Sequence, residues 1–154
     1  MPLKRSITMN PYLKFDESQI KNIADRYEYT REESELMQLC GEIQQKGCLN
    51  KEQLQQVAKW KAPRSAGYVK KNTNDYIKEV TSFAFSTENE RARIEALTIL
   101  DGVSWPTASV LLHLYHKERY PILDFRALWS VNLKVPKQYK YSLWKSYVKF
   151  CREI

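Results

Sequence analysis

Two features of the chain could do chemistry. An aspartate, Asp124, is set in the largely apolar stretch YPILDFRAL, and 22 positions earlier Gly102 interrupts an otherwise helical pattern in LDGVSWPTAS. A carboxylate held among apolar neighbours can stabilise positive charge developing beside it, and can orient or deprotonate a water molecule. A glycine after a helix can take the left-handed conformation that lets two helices meet across a short turn. The amides of Val103, Ser104 and Trp105 would then stand at the start of the second helix, where the helix dipole favours an anion such as a phosphate. Both features have a plainer use. An aspartate before Phe-Arg-Ala-Leu is a good helix N-cap, and a short helix–helix turn need hold no ligand.

A third stretch adds charge and aromatic surface. KWKAPRSAGYVKK carries Lys59, Lys61, Arg64, Lys70 and Lys71 without an acid, interleaved with Trp60 and Tyr68. Cations of this kind neutralise phosphates, and the aromatics can stack on bases or wedge between them. Trp60 is equally suited to a core. Asn72 and Asn74 have side chains able to read a base edge, and residue types that commonly cap the helix after them. His113 and His116 stand three apart with no third ligand nearby, so no metal site is expected. Lys137, Lys140, Lys145 and Lys149 read as the solvated face of a last helix whose apolar stripe is already complete.

The elements that must position these residues are helices. Apolar spacing and cap signals predict a helix from about residue 16 with Ile20, Ile23, Ala24 and Tyr27 on one face. A second should open on the capping-box pattern Thr30-Arg31-Glu32-Glu33 and run through Leu36, Leu39, Cys40 and Ile43 to Gly47. Asn50 should cap a helix containing Leu54, Val57, Ala58 and Lys61 that ends before Pro63. After a polar and basic loop, a helix over 76–85 turns Ile77, Val80, Phe83 and Ala84 inward. Thr87-Glu88-Asn89-Glu90 reads as another capping box, opening a helix with Ile94, Leu97 and Leu100 buried. The next begins near Pro106 and buries Ala108, Leu111, Leu112 and Tyr115. A short helix follows Asp124, and a last one, over 139–151, turns Leu143, Trp144, Tyr147 and Val148 inward. The expected fold is all-α, one domain over 1–154, with a helical hairpin over about 88–117 and the Asp124 segment over 120–131.

Composition agrees with a soluble globular chain. At 154 residues it can bury a sizeable core. The three cysteines are an odd number without metal or redox spacing, and read as buried thiols in a reducing compartment. The start, MPLKRSITMN, lacks the apolar core of a leader, and no run approaches the length of a membrane span. A cytoplasmic location, or a nuclear one in a eukaryote, is expected. The net charge of +7 is unevenly spread: residues 1–53 carry 8 Lys/Arg against 9 Asp/Glu, and residues 54–154 carry 17 against 9. A one-sided positive field suits a polyanion.

Residues 94–131, with LDGVSWPTASVLLHLYHKERYPILDFRAL at their centre, resemble the helix-hairpin-helix DNA glycosylase superfamily, and within it the adenine-excising mismatch glycosylases. The resemblance implies a DNA-binding hairpin at Gly102–Val103–Ser104–Trp105 and a catalytic carboxylate at Asp124. It also implies a target base flipped out of the duplex. Three departures shape the expectation. Asp101 and Ser104 stand where the family has proline and a second glycine. Pro106 stands where bifunctional members carry a Schiff-base lysine, which implies a monofunctional enzyme. The four-cysteine iron–sulfur loop is absent, so no cofactor is implied. The expected function is excision of a damaged, mismatched or modified base from DNA by a monomer without membrane attachment. A non-catalytic DNA-binding module is the alternative.

Overall fold

The computed structural model describes residues 9–154; residues 1–8, on which the leader reading mostly rests, lie outside them. Among the described residues there are nine α-helices and no strand. They are α1 (Ile20–Asp25), α2 (Arg31–Gln38), α3 (Cys40–Lys46), α4 (Lys51–Lys61), α5 (Asn74–Ser86), α6 (Glu90–Thr98), α7 (Trp105–Tyr115), α8 (Phe125–Ser130) and α9 (Tyr141–Glu153). No described helix is long and apolar enough to cross a membrane.

The boundaries follow from local chemistry. The Asn50 side chain accepts from the Gln53 amide and the Gln53 side chain accepts from the Asn50 amide, a complete capping box that opens α4. At α2 only half of the expected box forms. Thr30 accepts from the Glu33 amide, while the Glu33 carboxylate takes the Tyr27 hydroxyl instead of the Thr30 amide. The single helix expected through Leu36–Ile43 is two, because a tight bond from the Leu39 amide to the Leu36 carbonyl closes α2 just before Cys40 and Gly41. The cap of α6 is Asn89, which accepts from the Ala92 amide; Thr87 serves the turn before it, accepting from the Asn89 amide.

The core is one cluster of buried side chains running from Leu36 to Val148. The expected inward faces of α4, α6, α7 and α9 are buried, and α7 is buried almost all round, with Thr107, Ser109 and Val110 joining the four residues read from the sequence. Three expectations are corrected. Phe83 is 49% exposed, because α5 turns Ile77, Val80, Thr81 and Ala84 inward and Thr81 fills the position by accepting from the Leu49 amide. The α1 face is open: Ile23 and Tyr27 are exposed, since no later element covers it. The cysteines are unpaired and partly exposed rather than buried.

Arg93 is buried in α6. Its guanidinium donates to the Ala84 and Thr87 carbonyls and the Tyr120 hydroxyl, and pairs with Glu90 at 3.2 Å and Glu118 at 3.7 Å. A buried arginine is tolerable only with such saturation. The network ties the entry of α6 to the link between α7 and α8, and so fixes the approach to Asp124.

Candidate nucleic-acid interface and carboxylate site

Gly102 sits between α6 and α7 with φ +79°, the left-handed conformation expected of it. A second constraint is tertiary. A Cβ on Gly102 would lie 2.8 Å from the Val69 backbone nitrogen and 3.1 Å from the Ser65 carbonyl oxygen. The turn is therefore packed against the basic segment, whose residues Ala66–Lys71 form a 3-10 helix where a loop was expected. Asn72 locks the two together: its Oδ1 accepts from the Asp101 amide at 2.9 Å, and its Nδ2 donates to the Asp101 carbonyl at 2.9 Å and the Val69 carbonyl at 3.0 Å. Those bonds, and its burial, correct the expectation that Asn72 reads a base edge. Asn74 does not cap the helix it begins: its Oδ1 accepts from the Lys51 amide in the first turn of α4, which Asn50 caps, and Thr73 caps α5.

The anion-binding amides are fewer than the sequence suggests. The Val103 N–H donates to the Leu100 carbonyl within the turn, and the Val103 side chain is buried. The Ser104 and Trp105 amides have no acceptor among the described residues, and the Ser104 hydroxyl makes no cap bond although Ser104 is the N-cap of α7. Pro106 follows in the first turn. Ser104 is exposed and Trp105 leans on the core. Around this turn, Lys59, Arg64, Lys70 and Lys71 are exposed; Lys71 lies over the ring of the exposed Tyr68, 4.9 Å from its centroid. Trp60 packs against the core rather than standing free as a wedge.

Asp124 is reached from the same helix. The Ser109 hydroxyl, one turn into α7, accepts from the Leu123 amide at 2.8 Å, which anchors the residue before Asp124 about 6 Å along the axis from the start of α7. Asp124 is partly buried and extended, and caps α8 through a long contact of 3.4 Å from the Arg126 amide. It forms no salt bridge among the described residues. Its carboxylate lies within Coulombic reach of Lys61, Tyr139 and Tyr147. Burial pushes the Lys61 ammonium below the usual lysine range, and Asp124 acts against that shift. Burial chiefly, with Asp124 adding to it, raises the Tyr139 phenol; burial, then Cys151 and last Asp124 raise that of Tyr147. The Tyr147 hydroxyl donates a hydrogen bond to the Ile122 carbonyl at 2.7 Å, bracing the extended approach to Asp124.

Lys61 thus belongs to the carboxylate site and not with the exposed cations with which it was grouped. Helical spacing already sets Lys61 one turn after Val57 and Ala58, on the inward face of α4, against its grouping with the cations of the basic segment. The histidines have structural partners, His113 Nδ1 the Tyr120 carbonyl and His116 Nδ1 the Glu118 amide. Lys137, Lys140, Lys145 and Lys149 are exposed.

No family model matches the chain, and neither a curated protein nor a solved structure matches it.

Proposed function

We propose that the protein is a monofunctional DNA glycosylase that flips a damaged, mismatched or modified base from DNA and hydrolyses its N-glycosidic bond at Asp124. The observation that carries this reading is the placement of Asp124. It is partly buried, bound only by a long cap contact, beside a half-buried lysine, and anchored through Leu123 and Ser109 to the helix that starts at the Gly102 turn. A cap alone needs neither the lysine nor Tyr139 and Tyr147 within reach of its charge. Phosphate binding at the turn needs no carboxylate.

In the proposed reaction, the Ser104 and Trp105 amides and the exposed cations Lys59, Arg64, Lys70 and Lys71 hold the backbone. The flipped nucleotide enters beside Asp124, and departure of the base leaves positive charge on the deoxyribose. Asp124 stabilises that charge and directs water to the sugar. Lys61 offers the nucleotide's phosphate a cation inside the site. The chemistry requires no cofactor, and DNA is the one partner it requires.

Binding should weaken steeply with salt, and Arg64→Gln should weaken it for every sequence while flattening the salt slope by about one unit. Titrations at several salt concentrations measure this; salt-independent binding would remove the electrostatic basis of the proposal. The product test concerns Lys61. With proline at position 106, excision should leave an intact abasic strand that breaks only on alkali treatment, and borohydride should trap no protein–DNA adduct. An adduct that disappears in Lys61→Gln would move the chemistry to that amine and overturn the hydrolytic reading. Excision is sought on a panel of DNAs carrying damaged and modified bases; binding without product on any of them would leave a DNA-binding module.

A further inference from the structure

Directly after Asp124 in the chain, α8 lines a groove of about 820 Å³. Its walls include Phe125 and Trp129, which are 58% and 64% exposed and stand four residues apart on one face of α8. The opposite wall is the segment after α8, carrying Lys134 and Val135. That wall is held by the helix end: the Asn132 amide donates to the Trp129 carbonyl and the Leu133 amide to the Leu128 carbonyl, with Asn132 at φ +58°. This is the Schellman arrangement, with asparagine in the place glycine usually takes. The third side is the chain before α1, strapped on by bonds from the Tyr12 amide to the Val131 carbonyl and from the Lys14 amide to the Ser130 carbonyl, each 3.0 Å.

The charge in the groove has one sign. Lys14 stands 4.0 Å from the Trp129 ring centroid, Arg126 lies 5.3 Å from that of Phe125, Lys134 completes the set, and no acid lines the groove. Exposed ring faces, each with a cation at hand, answer the two parts of a nucleotide: the π-face of the base and the phosphate. A base-paired duplex hides its base faces, so only an unpaired strand can use this surface. A lipid-binding surface would push its aromatics outward from a convex face, whereas these line a concavity.

We propose that this groove binds unpaired DNA, with bases stacked on Trp129 and Phe125 and phosphates held by Lys14, Arg126 and Lys134. It thereby holds the strand next to a nucleotide placed at Asp124. The choice of DNA rests on the glycosylase reading; the stacking does not. The substrate class that follows is a base in single-stranded or locally opened DNA.

The experiment measures fluorescence anisotropy of a labelled oligo(dT) of about 12 nucleotides and of a fully paired duplex, with full-length protein and its Trp129→Ala, Phe125→Ala and Trp129→Phe variants. Both aromatics are exposed, and circular dichroism and melting check that the variants fold. Each alanine variant should lose at least about fivefold in oligo(dT) affinity, with duplex affinity changed less than about twofold, and Trp129→Phe should recover most of the loss. Unchanged oligo(dT) binding overturns the proposal, as does equal loss on duplex and single strand. Loss of binding to vesicles of anionic phospholipid with oligo(dT) binding intact would overturn it in favour of a lipid surface. Excision by the wild-type protein is assayed in parallel: its absence on every substrate sinks the hydrolytic reading, while oligo(dT) binding that depends on the two aromatics leaves this one standing.

Discussion

Asp124→Asn should lower single-turnover excision by on the order of 100-fold or more while folding stability changes by less than about 1 kcal/mol. The two roles open to Asp124 separate in this variant. As a cap it makes one 3.4 Å contact to the Arg126 amide, and asparagine caps as well as aspartate does. As a catalytic group it contributes a negative charge beside the deoxyribose and a site for a proton, and asparagine has neither. Loss of the charge also removes the group that acts against the lowering of Lys61 by burial. Thermal melting, duplex binding and excision are measured together on one substrate. Excision at the wild-type rate would make Asp124 a cap and nothing more, whatever the Gly102 turn binds.

The helices of the site were legible because their signals are local. Asn50 and Gln53 sit three apart and form their box; Pro106 enters the first turn of α7; Gly102 adopts the positive φ that its place after α6 requires. The stripes of α4, α6, α7 and α9 were read from periodicity alone. What the sequence hid was which polar groups are already used. Asn72 looked free to meet a base, and only the folded chain brings Asp101, 29 residues away, to its side-chain amide. The Val103 amide was counted among phosphate donors, yet the turn closes on it. Both are long-range or turn-closure effects with no signature in residue type.

The groove was missed for a different reason. Phe125 and Trp129 fall on a short helix whose one buried residue is Leu128, and six residues are too few for periodicity to assign that helix a face. The sequence does carry a hint. A six-residue helix with two large aromatics beside its single core leucine has more apolar surface than it can bury. Lys14 could not have been assigned there, because its partner lies more than a hundred residues along the chain.

Gly102→Ala should destabilise the fold by about 3 kcal/mol. An alanine at φ +79° carries the cost of the left-handed conformation, and its Cβ meets the Val69 backbone nitrogen at 2.8 Å, where no flexible side chain can swing aside to relieve it. Relief requires the turn to lift from the 3-10 helix, which pulls on the two bonds between Asn72 and Asp101. Duplex affinity should fall as well, beyond the fraction unfolded, because the Ser104 and Trp105 amides leave the surface they share with Arg64 and Lys71. Ser104→Ala is the counterpart that separates fold from ligand. The Ser104 hydroxyl makes no cap bond, so this variant should melt within about 0.5 kcal/mol of the wild type. If its hydroxyl donates to a phosphate, duplex affinity falls about tenfold, the usual scale for losing a hydrogen bond to a charged group. Chemical denaturation and duplex titration of both variants decide the matter. A Gly102→Ala protein of wild-type stability would mean that the turn is not packed on Val69, and an unaltered duplex affinity in a folded Gly102→Ala protein would mean that this turn is a helix connection without a phosphate.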